Sequence, residues 1–149
     1  MLKVGDRVPK FKLKDQSDNL FDSQSIIGKK PCVIYFYPKD FTPGCTVESC
    51  GFRDRYEEFV EQGVTVIGIS SDSVTRHKKF SDFLALPFSL LSDPHQNVQK
   101  KFGVKAHLFG ILTQRITFVA NKEGVLVRIY NSNLVKGHIE ASLKAVLSL

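Results

Sequence analysis

Three features of the 149-residue chain predict an α/β fold with a mixed sheet. Two continuous apolar, β-prone runs, Cys32-Val33-Ile34-Tyr35-Phe36-Tyr37 and Val64-Thr65-Val66-Ile67-Gly68-Ile69-Ser70, lack the alternation of a half-exposed strand. Such runs fit strands covered on both faces. Between them, Phe52, Tyr56 and Phe59 fall at the i, i+4, i+7 spacing of a helix, which makes a βαβ unit. Farther on, Asn121-Lys122-Glu123-Gly124 separates two β-prone runs, Arg115 to Ala120 and Val125 to Tyr130, as a hairpin turn does. A hairpin adds antiparallel strands to the parallel pair.

The remaining elements follow in order. Phe11-Lys12-Leu13-Lys14 alternates, Asp15 to Asn19 reads as a turn and Leu20-Phe21 returns, an N-terminal β-hairpin extension. Ser23 to Ile27 is a short helical turn ending at Gly28, and the helix after the first buried strand runs from about Pro43 to Gln62. Asp72 or Ser73 caps a helix to about Leu84, with Phe80 and Leu84 inward. A short strand, Phe88-Ser89-Leu90-Leu91, precedes an inserted helix from Pro94 to Phe102 that Gly103 ends. Val135 to Leu147 closes the chain as a helix with Ile139, Leu143 and Val146 on one face. With no repeat, low-complexity tract or linker, residues 1–149 are expected to form one domain.

Composition narrows the function classes. The chain is 42% apolar and 24% charged, ordinary for a globular protein, and no stretch approaches the ~20 apolar residues of a membrane span. The first residues, Met1-Leu2-Lys3-Val4-Gly5-Asp6, lack the apolar core of a signal peptide, so a cytoplasmic location is expected. The net charge of +6 comes from scattered lysines and arginines with no long basic run, which argues against a nucleic-acid partner. Three cysteines in a reducing compartment do not make a disulfide framework and point to a catalytic or metal role. His77, His95, His107 and His138 have no metal-ligand spacing with each other or with the cysteines; they read as solvated or packing histidines, and no cofactor is called for.

The chemistry gathers in one stretch. A strand ends at Pro38 and a helix begins near Thr42, so Cys45 lands in the first helical turn, where the dipole and unpaired N–H groups favour thiolate over thiol. The flanking Thr42, Pro43, Gly44 and Thr46 make a turn and bring no apolar neighbour. Cys50 follows five residues later, a second thiol able to pair with the first. Five residues of helix separate Cα atoms by about 8–9 Å, whereas a disulfide needs at most about 7 Å. Pairing therefore requires local unwinding of about one and a half turns, which Gly51, a poor helix former, makes less costly. The alternative for Cys50 is a buried packing residue.

Pro38-x-x-x-Thr42-x-x-Cys45 matches the active-site motif Pro-x-x-x-Thr/Ser-x-x-Cys, and the chain resembles the peroxiredoxins. The run from Tyr37 to Asp54, with Pro-Gly-Cys-Thr, the second cysteine five residues on and Phe52-Arg53-Asp54, is similar to the bacterioferritin-comigratory or Q-type branch. The resemblance covers essentially the whole chain and implies a thioredoxin-like fold. In thioredoxins this turn holds Cys-x-x-Cys; here Thr42 stands where the first sulfur would be, which favours chemistry of a lone thiolate.

The resemblance implies a peroxidase. A thiolate attacks one oxygen of a hydroperoxide, the O–O bond breaks and Cys45 becomes a sulfenic acid. Donors aimed at both oxygens lower the barrier, and the Thr42 hydroxyl with the N–H groups near Gly44 and Cys45 are candidates. Pro38 either restrains the backbone and excludes water or simply ends the strand. Arg115 in Arg115-Ile116-Thr117-Phe118 matches the family's Arg-x-Ser/Thr-Phe segment and is preferred over Arg53 as the active-site cation. Glu48 either orients that arginine or contacts the helix dipole. Cys50 is the expected resolving thiol; Cys32, at the head of the central strand, reads as core with a reserve role in resolution. The expected partners are a peroxide and thioredoxin or a similar dithiol reductant, with a monomer favoured because the second thiol is internal. Two other activities stay open on sequence: general thiol–disulfide exchange and a chaperone-like or redox-sensing role.

Overall fold

The computed structural model describes residues 1–107 and 112–149. Its centre is a seven-stranded mixed sheet. The strands are β1 (Lys12–Asp15), β2 (Leu20–Asp22), β3 (Cys32–Phe36), β4 (Thr65–Ser70), β5 (Ser89–Ser92), β8 (Ile116–Ala120) and β9 (Leu126–Asn131), in spatial order β2-β1-β5-β4-β3-β8-β9. A separate two-stranded sheet pairs β6 (Ala106–His107) with β7 (Leu112–Thr113), which the sequence pattern does not announce. β3, β4 and β5 are parallel; β8 runs antiparallel to β3, and the N-terminal hairpin joins the far edge through β1 and β5.

The uninterrupted apolar runs are explained by the layers. All five residues of β3 are buried, and alternate side chains point to opposite faces. Val33, Tyr35 and Tyr37 enter one core with Phe52, Phe59, Phe80, Ile139 and Leu143. Ile34 and Phe36 enter a second core with Ile69, Phe102 and Phe118. Helices α1 (Pro43–Asp54), α2 (Tyr56–Glu61), α3 (Val74–Leu84) and α5 (Val135–Leu147) supply the first core. The short α4 (Asn97–Phe102) supplies the second. Among the described residues, no helix is long and apolar enough to cross a membrane.

Several expected boundaries move. The helix expected from Pro43 to Gln62 breaks at Arg55, where φ −105° and ψ 9° separate α1 from α2. Phe52 and Phe59 still meet in the core, with ring centroids 5.9 Å apart. The inserted helix starts at Asn97 rather than Pro94, because the buried Asp93 carboxylate accepts from Val98 N at 3.3 Å and Gln99 N at 2.9 Å and so closes its first turn. Ser73 caps α3, accepting from Arg76 N at 3.1 Å, and Asp72 is left for another purpose. The Asn121 turn forms as expected, its side chain accepting from Glu123 N and Val125 N.

Candidate active site

The reactive turn lies at the end of the central strand. β3 stops at Phe36, and Pro43 takes the first position of α1, where a missing N–H breaks no helical bond. Cys45 is then the third helical residue, among N–H groups that have no intrahelical acceptor. Its sequence neighbours suggested a sulfur free of apolar contact. In the fold it is fully buried within the core beneath α1. Its polar contact is the Arg115 guanidinium, whose Nη2 lies 3.4 Å from Sγ.

Arg115 sits one residue ahead of β8 and is itself buried. Its Nη1 donates to Glu48 Oε1 at 2.6 Å, so one guanidinium bridges the sulfur and a carboxylate one helical turn along. Gly44 permits this approach: a Cβ there would stand 3.0 Å from Nη2. Arg53 is engaged elsewhere, donating from Nη1 to the Leu84 carbonyl at 2.8 Å and from Nε to Asp54. Of the two alternatives for Glu48, the structure has it holding the arginine.

Thr42 is the N-cap residue of α1 but makes no side-chain cap. Its hydroxyl donates to the Lys39 carbonyl at 2.7 Å. With that proton committed, the oxygen is left as an acceptor, where the sequence reading expected a donor. Pro38 is half-buried beside the turn. Cys50 is half-buried on α1, and all three cysteines are free thiols. Burial pushes the Cys32 thiol up to about 12, which fits an inert core residue.

Two buried polar groups were missed. Behind Glu48 lies His138 of α5, fully buried, its Nδ1 3.7 Å from Glu48 Oε2. His138 Nε2 is 2.6 Å from the Ser132 carbonyl and must carry the hydrogen; Nδ1 then accepts from the Thr117 hydroxyl at 2.8 Å. Burial pushes Glu48 up to about 7 against the opposing pull of Arg115, and burial pushes His138 down to about 4.

The second group holds the loop that leads into α1. Asp40, fully buried, accepts from Tyr37 Oη at 2.5 Å and lies 2.6 Å from His77 Nδ1, while its backbone N donates to Asp72 Oδ2 at 2.9 Å. His77 Nε2 lies 3.0 Å from the Leu91 carbonyl, so the cluster ties the turn to α3, β4 and β5. Asp40, Asp72 and His77 have ligand-type atoms within 4.8 Å of one another. Their carboxylates already accept from Tyr37, Ser70, Arg76 and the Asp40 amide, and His77 Nδ1 lies against Asp40 Oδ2, which makes this a closed brace for the loop. His95 is exposed, and the side chain of His107 lies outside the described residues.

Residues 4–129 match the model of the AhpC/TSA family. The chain is 46% identical over 146 residues to the chloroplastic peroxiredoxin Q of Populus jackii, covering 97% of this chain and 68% of that one. The Sedum lineare protein of the same name is also 46% identical, with 97% and 78% covered. Among solved structures, the peroxidoxin BcpB of Mycobacterium tuberculosis superposes with a TM-score of 0.94 at 34% identity, covering 100% of this chain and 99% of that one. The bacterioferritin comigratory protein of Xanthomonas campestris, studied for alkyl peroxide reduction, gives 0.84 at 33% identity over 93% and 90%. These relatives correct the cytoplasmic expectation: the plant proteins that the chain resembles are chloroplastic, and the N-terminal composition that prompted a cytoplasmic location does not carry one.

Proposed function

The chain belongs to the AhpC/TSA family as a peroxiredoxin of the Q type, a thiol-dependent peroxidase, and from that premise we propose that Cys45 is its attacking sulfur and Cys50 its resolving one. The observation that carries the assignment is the Arg115 guanidinium, 3.4 Å from Cys45 Sγ and 2.6 Å from Glu48 Oε1. A fixed cation beside the sulfur favours thiolate and stands ready for the charge that moves onto the departing oxygen.

In the reaction, the Cys45 thiolate attacks the terminal oxygen of R–O–O–H and the O–O bond breaks. The sulfur becomes a sulfenic acid, and the other oxygen leaves as alkoxide and takes a proton. Arg115 and the free N–H groups of the first turn of α1 lower the barrier, and the Thr42 oxygen accepts the peroxide O–H and orients it. Pro38 shapes and dries the mouth of the site. Cys50 then attacks the sulfenic sulfur, water leaves and a disulfide forms. Thioredoxin or a similar dithiol protein reduces that bond by exchange.

One domain spanning residues 1–149 can run this cycle as a monomer, because both thiols belong to one helix. Peroxide turnover with a thioredoxin system tests the reading. Cys45→Ser should abolish it, since a hydroxyl is hardly ionised at neutral pH. Turnover in that variant above about a tenth of the parent rate, a barrier change of only ~1.4 kcal/mol, would remove Cys45 from the attacking role.

A further inference from the structure

We infer that Asp72 is a positioning residue for peroxide reduction: its carboxylate holds the peptide group between Lys39 and Asp40, and the carbonyl of that group fixes the hydroxyl of Thr42. The inference rests on the roles proposed above for Cys45 and Thr42.

One peptide unit carries the connection. On its N–H side, Asp40 N donates to Asp72 Oδ2 at 2.9 Å. On its C=O side, the Lys39 carbonyl accepts from the Thr42 hydroxyl at 2.7 Å. A peptide unit is planar and rigid, so the bond at one end sets where the other end points. The bond to a carboxylate is charge-assisted, and it polarises the unit so that the carbonyl becomes a stronger acceptor. The Thr42 proton is thereby kept on Lys39, and the lone pairs of the hydroxyl oxygen are left for the hydroperoxide.

Asp72 is fixed from both sides. It lies buried between β4 and α3, and Ser73 already caps the helix. Its Oδ2 also accepts from Ser70 Oγ at 2.6 Å, and Oδ1 takes Arg76 Nε at 3.1 Å. Asp40 is held in turn at its side chain by Tyr37 and His77, and at its carbonyl by Arg76 Nη2 at 3.1 Å.

This holding has a purpose in the next residue. Phe41 has a φ of 65°, in the left-handed region that a bulky side chain enters only under constraint. Its ring lies 5.3 Å beneath the Arg76 guanidinium and 5.0 Å from the ring of Phe80. Without the bond from Asp72, the segment from Lys39 to Thr42 would relax from this conformation and carry the hydroxyl with it.

Stopped-flow oxidation of Cys45 by hydrogen peroxide in the full chain, with urea unfolding of each variant, tests the inference. Asp72→Ala removes the acceptor for Asp40 N and should slow oxidation by about tenfold, within the ~10²-fold that a misplaced group can cost. Asp72→Asn keeps a carbonyl oxygen for Asp40 N and Ser70 and gives up the ion pair with Arg76, whose side chain is 43% exposed and can turn to solvent. That variant should lose stability yet recover most of the lost rate. The deciding measurement is the pairing with Thr42→Val. Thr42→Val should be slow by itself, and adding Asp72→Ala should slow it no further, because the effect passes through the missing hydroxyl. Equal slowing by Asp72→Ala in both backgrounds, a parent-like rate for Asp72→Ala, or an Asp72→Asn variant as slow as the alanine one would each overturn the inference. Where Asp72→Ala fails to fold, Asp72→Ser, whose hydroxyl is too short to span the gap, takes its place in the same cycle. Thr42→Val at the parent rate would end the role proposed for Thr42 and this inference with it. Peroxide turnover surviving in Cys45→Ser would instead end the assignment of the attacking sulfur, and the same cycle read on peroxide consumption would still decide for or against Asp72.

Discussion

Gly51 packs so closely on Ile139 that a Cβ at position 51 would stand 2.9 Å from Ile139 Cδ1 and 3.0 Å from Cγ1. This contact joins α1 to α5 immediately after Cys50, in the segment that must open for the two thiols to meet. Gly51 is therefore more than a weak point in the helix, as its sequence position suggests; it also allows the close approach of the two helices. Gly51→Ala should gain about 1 kcal/mol of helix propensity and lose about 1–3 kcal/mol to overpacking, for a net loss of stability. Ile139→Val removes the Cδ1 methyl and should restore tolerance of alanine, so a double-mutant cycle in urea should show clear coupling. An alanine variant as stable as its parent would dismiss the packing role.

Arg115→Ala should slow the first oxidation of Cys45 by about 10²–10³-fold, the loss seen when a donor to developing charge is removed. Glu48 is already held near about 7 and can take up a proton, so the fold should survive the loss of its partner. Arg53→Ala, which gives up contacts to Leu84 and Asp54, should oxidise at nearly the parent rate. Stopped-flow traces with the opposite ranking would show that the cation was wrongly chosen.

Much of the site was legible because it is local. Pro38, Thr42, Cys45 and Cys50 lie in one strand–turn–helix passage, where proline, glycine and the N-cap position have direct conformational meaning. Arg115 enters from 70 residues away, and nothing in its own neighbourhood marks it; only the family resemblance picked it out. The Glu48–His138 and Asp40–His77 contacts join separate elements, so no period or spacing announces them. The same limit explains α4, whose start is set by the Asp93 carboxylate rather than by Pro94. The alternation of the two cores across β3, by contrast, follows from an uninterrupted apolar run and was readable from the chain.

One equivalent of peroxide should produce an intramolecular Cys45–Cys50 disulfide and remove helix. Both cysteines lie within α1, and an intact helix holds their Cα atoms about 8–9 Å apart, beyond disulfide reach. Intact mass should fall by two hydrogens, and peptide mapping should link these two residues. Far-UV circular dichroism should fall by an amount fitting roughly five to eight helical residues. In Cys50→Ser the sulfenic acid should persist and pass to sulfinic acid under excess peroxide. A Cys45–Cys32 link would transfer the resolving role to the core thiol.

The buried acid behind Arg115 should also leave a signature in stability against pH. In the unfolded chain His138 titrates at its ordinary 6.5 and Glu48 at 4.5; in the folded chain they stand at about 4 and about 7. Between about pH 4.5 and 6.5 each state carries one proton on this pair, the unfolded chain on His138 and the folded chain on Glu48. Their contributions to the slope therefore cancel. Above that window the folded state alone holds a proton, so stability falls as pH rises through about 7. Glu48→Gln removes the folded state's proton and leaves His138 unbalanced. Stability of this variant should then fall as pH is lowered from 6.5 toward about 4, with a slope of at most about 1.4 kcal/mol per pH unit. Urea unfolding of the variant and its parent across pH 4.5–6.5 reads the difference directly, and parallel curves would mean that Glu48 and His138 do not exchange a proton on unfolding.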